Sequence, residues 1–117
     1  MAEQRVWLIT GCSSGLGQGI ALAALERGDK VLATARKPET LRPLLEAFPE
    51  RAAAQKLDMT DPADISAAVD SAQRRFGRID VLVNNAGHGF RAAVEKATEA
   101  EIYELFQTNF FGPVQLI

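Results

Sequence analysis

The chain has 117 residues, a length that suits one compact domain and is too short for two. Apolar residues make up 47% and charged residues 24%, which excludes wholesale disorder, and a single cysteine excludes a disulfide framework and is compatible with a reducing cytosol. The formal net charge is −2 and no basic stripe is present, so we expect no nucleic-acid partner. No apolar run approaches the roughly 20 residues of a membrane span, and residues 1–5 are too polar for a signal peptide. These features predict a cytoplasmic protein that does not bind membranes.

Four short apolar runs predict β-strands at residues 6–10, 31–35, 52–57 and 79–83. The run Val81-Leu82-Val83 is continuous rather than alternating, which is typical of a strand buried on both faces. The third run is more polar than the others and suits a strand near the edge of a sheet.

The segments between these runs have helical spacing. The first predicted helix begins near Gly15 and stops at Gly28. The second contains Pro43, which a helix tolerates in its first turn, so Thr40 is the predicted N-cap.

The third predicted helix has Asp61 as its N-cap and Pro62 at its first position, and it ends at Gly77. A fourth begins at Thr98, where Thr98 and Glu101 have the spacing of a capping box. Strands that alternate with helices need crossover connections, so the order predicts one α/β domain over residues 1–117, with a parallel sheet and helices on both faces.

A glycine-rich segment, Thr10-Gly-Cys-Ser-Ser-Gly-Leu-Gly17, joins the first predicted strand to the first helix. Glycines there permit a tight turn, the approach of a ligand to the backbone and close packing of helix on sheet, and the free N–H groups of the helix attract phosphate. The Gly-x-x-x-Gly-x-Gly spacing differs from the common Gly-x-Gly-x-x-Gly fingerprint. The candidate phosphate-binding residues are Gly11, Ser13, Ser14, Gly15, Leu16 and Gly17.

This spacing, followed by Asn-Asn-Ala-Gly at residues 84–87, resembles the short-chain dehydrogenase/reductase family in its single-domain branch. Two more segments match that family: Leu-Asp-Met-Thr at residues 57–60 and Asn-Phe-Phe-Gly-Pro at residues 109–113. The resemblance implies a Rossmann-like, doubly wound parallel sheet. It also implies that the chain matches the N-terminal half of the family fold, truncated to about four strands in the order 3-2-1-4.

Ala35 stands at the end of the second strand, where NAD-binding folds usually carry an acidic residue for the ribose 2′-hydroxyl. Arg36 follows, and a guanidinium can pair with a 2′-phosphate, so we predict NADP(H) as the cofactor in preference to NAD(H). The alternative is that Arg36 and Lys37 form only a solvated loop.

The resemblance assigns further roles. Asp58 would bind the adenine amino group, with Met59 beside the ring, and Asn109 would hold a water of the family's proton relay. The alternative for Asn109 is an ordinary surface position on a helix. The residues placed beneath the adenosine ribose, for which a polar turn is the alternative, are Asn84, Asn85, Ala86 and Gly87.

The family's chemistry is hydride transfer between the nicotinamide and a carbinol or carbonyl carbon, with a Tyr-x-x-x-Lys pair as its acid–base group. The only tyrosine is Tyr103, which has Gln107 four residues later, and the last lysine is Lys96. We therefore expect a domain that is incomplete at its C-terminus and inactive alone. Its parent would be an NADP(H)-dependent oxidoreductase of small carbonyl or alcohol substrates, homo-oligomeric when complete. The alternatives are a noncatalytic NADP-binding module and a non-functional fragment. No cluster has metal-ligand spacing.

Overall fold

The computed structural model describes residues 4–13, 15–85 and 98–101. In these residues four strands form one parallel sheet in the spatial order β3-β2-β1-β4, as the resemblance to the family implied. The strands are β1 (Val6–Ile9), β2 (Lys30–Ala35), β3 (Ala52–Lys56) and β4 (Val81–Val83). The helices are α1 (Gly15–Glu26), α2 (Arg42–Ala47) and α3 (Pro62–Phe76), with a 3-10 helix at Pro38–Leu41. No helix in the described ranges is long and apolar enough to cross a membrane.

Two apolar layers cover the two faces of the sheet, because neighbouring residues of a strand point to opposite faces. On one face, strand residues such as Ile9 and Val31 pack with Leu25 of α1. On the other face, residues such as Leu8 and Leu32 pack with α3. The predicted doubly wound arrangement, with helices on both faces, is therefore confirmed. The more polar third strand lies at an edge of the sheet, as expected.

The ends of α3 follow the predicted signals. The Asp61 carboxylate accepts a hydrogen bond from the Ala63 amide at 2.9 Å, and Gly77 closes the helix. The predicted capping box is also present: the Thr98 hydroxyl donates to the Glu101 carboxylate at 2.9 Å, and the Glu101 amide donates to the Thr98 hydroxyl oxygen at 3.1 Å. The continuation of this helix lies outside the described residues.

The predicted N-cap at Thr40 is wrong. Pro38 begins a 3-10 helix that includes Thr40, and α2 starts only at Arg42. The Thr40 hydroxyl donates backward to the Lys37 carbonyl at 2.7 Å, so it closes the preceding turn instead of capping the next helix. Pro43 does lie in the first turn of α2, where it costs no intrahelical hydrogen bond.

A buried carboxylate joins β1 to β2 at the amino ends of the strands. Asp29 accepts hydrogen bonds from the Arg5 amide at 3.1 Å and from the Trp7 indole at 2.9 Å. It also forms an ion pair with Arg27 at 3.4 Å. Burial raises the pKa of Asp29, but the donors and the charge of Arg27 outweigh burial and leave that pKa below its usual value.

Candidate nucleotide-binding site

Those predicted site residues that the structure describes lie in segments that follow the carboxyl ends of the strands. Because all four strands are parallel, the segments that follow Ile9, Ala35, Lys56 and Val83 leave the sheet at the same edge. The chain runs from β1 toward β2 on one side, while β4 pairs on the other side of β1. Ligands of open α/β sheets bind at such a switch in strand order, outside the carboxyl ends. Helix α1 begins at this edge, directly after β1.

The glycine-rich segment has the backbone that its sequence predicts. Gly11 and Gly15 have φ angles of 68° and 61°, a left-handed region that strains other residues. Between them, Cys12 is anchored by its amide, which donates to the Thr34 carbonyl at 2.9 Å. Burial raises the pKa of the Cys12 thiol to about 11, so it stays protonated and donates to the Ile9 carbonyl. Cys12 therefore fills space below the loop.

Gly17 is buried where α1 passes closest to the strand ends. A Cβ atom at this position would collide with the Gly11 carbonyl oxygen and with the side-chain amide of Asn85. That amide donates to the same Gly11 oxygen at 3.0 Å, and the Asn85 backbone amide donates to the Thr10 hydroxyl oxygen at 2.9 Å. The segments after β1 and β4 are thus tied together beneath the start of α1.

The amino end of α1 is open to solvent and carries no compensating negative charge. Gly15 and Leu16 are exposed, Leu16 at 72%, and the first turn of α1 contains no acidic residue. Helix α3 differs, because Asp61 caps it and Asp64 lies in its first turn. The positive end of the α1 dipole therefore meets no acidic side chain in the first turn of that helix.

Two cations follow β2 at the same edge. Ala35 is buried, whereas Arg36 and Lys37 are exposed. Neither cationic side chain makes a hydrogen bond or ion pair within the described ranges. Three other basic side chains in these ranges are paired with carboxylates: Arg27 with Asp29, Lys56 with Asp64, and Arg78 with Asp80. The end of β2 therefore offers two positive charges that form no hydrogen bond or ion pair among the described residues, although the charge of Arg36 acts on Asp58.

Asp58 follows β3 and is held by the residue two positions later. Its Oδ1 accepts hydrogen bonds from the Thr60 amide at 2.9 Å and the Thr60 hydroxyl at 2.6 Å. These two bonds hold the pKa of Asp58 below its usual value; burial opposes them, and the positive charges of Arg36 and Lys56 add to them. Asp58 is therefore a carboxylate at neutral pH, at the same edge as Arg36.

Met59 follows Asp58 after the end of β3. Its side chain is only 3% exposed and packs in the layer between the sheet and α3, with Ile65 and Ala68. The side chain of Met59 therefore belongs to the core.

The described ranges bring together most of the predicted site residues: Gly11, Ser13, Gly15, Leu16, Gly17, Arg36, Asp58, Met59, Asn84 and Asn85. Ser14, Ala86, Gly87 and Asn109 lie outside the described residues. Sequence reasoning missed Thr60, although Asp-x-Thr is a spacing typical of side-chain-closed turns. It also missed the bond from Asn85 to Gly11, for which a separation of 74 residues leaves no local signal.

The strand order and the glycine-rich turn at the start of α1 define a Rossmann-like α/β protein. Comparison with known proteins specifies the family. The sequence model of the short-chain dehydrogenase family matches residues 5–117. The chain therefore belongs to that family of oxidoreductases.

An oxidoreductase named BOA17 from Botryotinia fuckeliana is 47% identical over 111 residues, which cover 94% of this chain and 40% of that protein. A short-chain dehydrogenase structure from Streptomyces avermitilis superposes with a TM-score of 0.92 at 48% identity, covering 99% of this chain and 42% of that one. The chain thus spans less than half the length of these relatives.

Two further solved relatives contain a nicotinamide nucleotide. A 3-ketoacyl-(acyl-carrier-protein) reductase from Brucella melitensis was solved with NADH, at 33% identity and a TM-score of 0.89, covering 97% of this chain and 48% of that one. A metagenomic short-chain oxidoreductase was solved with NADP. It is 33% identical and superposes with a TM-score of 0.88, covering 96% of this chain and 52% of that one.

Proposed function

We propose that this chain binds the adenosine half of NADP(H), and that the whole protein is an NADP(H)-dependent oxidoreductase. Its substrate would be a small carbonyl compound or alcohol, between whose carbon and the bound cofactor a hydride passes. The observation that carries the proposal is the pair of exposed cations directly after the buried Ala35: Arg36 and Lys37 form no hydrogen bond or ion pair among the described residues.

Charge at the end of β2 favours a 2′-phosphate over a 2′-hydroxyl. A cofactor without the phosphate needs an acceptor for its hydroxyl, and Ala35 has no side-chain acceptor at that position. A guanidinium offers donors in a planar fork that matches phosphate oxygens, so Arg36 would bind the phosphate and Lys37 would add a second charge. The complex with NADH noted above shows that family membership alone does not select the phosphorylated cofactor.

The remaining parts of the nucleotide have suitable partners along the same edge. The open amino end of α1, with Ser13 beside it, would take the pyrophosphate, because its N–H groups and dipole favour negative charge. The missing Cβ at Gly17 keeps that helix end close to the strands. The ionised Asp58 would accept a hydrogen bond from the adenine amino group, since Thr60 occupies only its Oδ1.

For the whole protein we also propose a homo-oligomer in the cytoplasm, with Asn109 in the proton relay of its active site. The 117 residues contain no Tyr-x-x-x-Lys pair, so the chain by itself would be a nucleotide-binding unit that does not turn over substrate. This separation of binding from chemistry makes binding the direct test of the proposal.

The test compares 2′,5′-ADP with 5′-AMP, two fragments of the cofactor that differ in the 2′-phosphate. Calorimetric titration should show that the 117-residue chain binds 2′,5′-ADP at least about tenfold more tightly, as expected for a charge-assisted contact. The variant Arg36→Asp should lose that preference while it still binds 5′-AMP.

Arg75→Asp is the matched control, because Arg75 is exposed in the last turn of α3, away from the carboxyl edge. It makes the same change of charge and should keep the preference. Equal affinity of the unmodified chain for the two nucleotides, or an unchanged preference in Arg36→Asp, would show that the assignment of NADP(H) is wrong.

A further inference from the structure

The turn that carries the two cations is closed by a threonine outside the predicted site. The Lys37 carbonyl accepts two hydrogen bonds from Thr40, one from its amide at 3.1 Å and one from its hydroxyl at 2.7 Å. The next residue, Leu41, is buried in the layer beneath α1 and anchors the far end of this 3-10 helix. The backbone from Lys37 to Leu41 is therefore fixed although its surface is exposed.

The other side of Arg36 is fixed as well. The Ala35 carbonyl accepts a hydrogen bond from the Leu57 amide at 3.0 Å, which continues the pairing of β2 with β3. Arg36 and the Cα atom of Lys37 thus lie between two anchored carbonyl groups, those of Ala35 and Lys37. The backbone of Arg36 is therefore restrained on both sides, while its guanidinium makes no hydrogen bond or ion pair among the described residues.

We propose that Thr40 is a positioning residue for the 2′-phosphate of the cofactor. It does not touch the nucleotide; its hydroxyl holds the Lys37 carbonyl, and so the Arg36–Lys37 segment is ordered before the phosphate arrives. Binding to an ordered segment avoids the entropic cost of fixing backbone dihedral angles during association. This inference rests on the proposed preference for NADP(H) and adds a determinant of it that lies outside the glycine-rich and Asn-Asn-Ala-Gly motifs.

Three properties of Thr40 support this assignment. Its hydroxyl bond is the shorter of the two bonds to Lys37, and it is made at an exposed position, where it contributes little to burial of the core. The hydroxyl does not cap α2, which begins two residues later without a side-chain cap. Its structural effect is therefore confined to the turn that presents Arg36 and Lys37.

The experiment measures the ratio of affinities for 2′,5′-ADP and 5′-AMP in variants of the 117-residue chain. Thr40→Val removes the hydroxyl and keeps the shape, and we expect binding of 2′,5′-ADP to weaken about three- to tenfold, the usual effect of one lost hydrogen bond. Binding of 5′-AMP should stay within about twofold, since its contacts do not involve this turn. Thr40→Ser, which keeps the hydroxyl, should restore the ratio.

A double variant tests whether Thr40 acts through Arg36. In an Arg36→Met background, Thr40→Val should change the ratio by less than about twofold, because the group that it positions is gone. Ser66→Ala, which removes an exposed hydroxyl on α3, should leave the ratio unchanged. Thr40→Ala provides a second variant without the hydroxyl, and retained binding of 5′-AMP reports that each variant is folded.

The possible results separate the two proposals. A chain that prefers 2′,5′-ADP, whose preference falls in Thr40→Val and returns in Thr40→Ser, supports the role of Thr40. An unchanged ratio in Thr40→Val and Thr40→Ala, or equal weakening of both nucleotides, overturns that role and leaves the NADP(H) preference standing. If the unmodified chain has no preference for 2′,5′-ADP, the preference itself fails, and the role of Thr40 fails with it.

Discussion

Gly17 has a steric requirement that Gly15 of the same glycine-rich segment lacks. Its neighbours Gly11 and Gly15 are needed for their left-handed φ angles, whereas Gly17 is needed because another part of the backbone occupies the space of its side chain. The Gly11 carbonyl is itself fixed by the Asn85 amide, so it cannot move away without losing that bond. Residue type at this position therefore controls the distance between α1 and the strand ends.

Replacing Gly17 by alanine should separate the start of α1 from the sheet. A Cβ atom there meets the Gly11 carbonyl and the Asn85 side chain, and an overpacked contact of this kind costs about 1 to 3 kcal/mol of folding free energy. We expect Gly17→Ala to lower stability by that amount in urea denaturation and to weaken 2′,5′-ADP binding more than tenfold, since a displacement near 1 Å disrupts phosphate contacts.

Gly19→Ala provides the matched control in the same helix. A Cβ atom at Gly19 has no neighbour within 4 Å, and the residue is exposed. Alanine is the better helix former, so we expect a gain of about 0.5 to 1 kcal/mol with nucleotide binding unchanged. Equal effects of the two substitutions on binding would contradict the steric role of Gly17.

At the scale of elements, β1 and β2 are joined at their amino ends by one charged group. The Asp29 carboxylate is buried and receives the Arg5 amide, the Trp7 indole and the Arg27 guanidinium. Arg51 adds a connection there, donating to the Leu25 carbonyl at the end of α1 at 2.6 Å. The charged contacts at this edge hold elements together, whereas Arg36 and Lys37 at the opposite edge have no such partner among the described residues.

Asp29 should make the stability of the chain sensitive to acid. Its pKa is lowered in the folded state, so its contribution is complete above the unfolded value of about 3.9 and is lost as the pH falls through the lower folded value. Asp29→Asn should lower the free energy of unfolding by about 2 to 3 kcal/mol at neutral pH and flatten its decline below about pH 4. Fluorescence of Trp7, the only tryptophan, reports the transition.

Asp70→Asn is the control for this titration, because Asp70 is exposed on α3. It should change the free energy of unfolding by less than about 0.5 kcal/mol. The account of Asp29 would be wrong if Asp29→Asn were as stable as the unmodified chain at neutral pH and lost stability equally in acid.

The elements could be predicted because their signals are local. The predicted ends of each strand lie within two residues of the observed ends. Asp61 and Thr98 indicate where their helices begin, because each caps its helix through a hydrogen bond with a residue two or three positions later. Thr40 failed as a predicted N-cap because a threonine hydroxyl can bond backward as well as forward, and Pro38 started a 3-10 helix first. Asp29 was missed because its donors lie 22 and 24 residues away in the chain.

The features of the candidate site also divide into those that local sequence signals predict and those that depend on contacts between distant residues. Glycine spacing predicts the turn between β1 and α1 because the φ angles of Gly11 and Gly15 are properties of single residues. The bond between Asn85 and Gly11 depends on the pairing of β1 with β4, which the sequence indicates only through the resemblance to a family. The burial of Met59 depends on how α3 packs, and no local spacing shows it.

At the scale of the whole molecule, binding and chemistry can be tested separately. The proposed adenosine contacts come from segments after all four strands, and these segments belong to one sheet. The family's acid–base pair is a tyrosine with a lysine four residues later. In this chain the residue four positions after Tyr103 is Gln107, and no lysine comes after Lys96. We therefore propose that the 117 residues provide a surface for the nucleotide without the family's proton-exchanging group.

We expect the 117-residue chain to bind 2′,5′-ADP and to show no carbonyl-dependent oxidation of NADPH. Hydride transfer to a carbonyl carbon needs a proton donor at the oxygen, and general acid catalysis contributes about 10²- to 10⁴-fold to such a step. The measurement is NADPH absorbance with a panel of aldehydes and ketones, beside titration with 2′,5′-ADP on the same sample. Turnover above the rate without protein would mean that another residue of this chain supplies the proton. Absence of both binding and turnover would instead contradict the proposed nucleotide site, because the contacts assigned to the adenosine half all lie within these 117 residues.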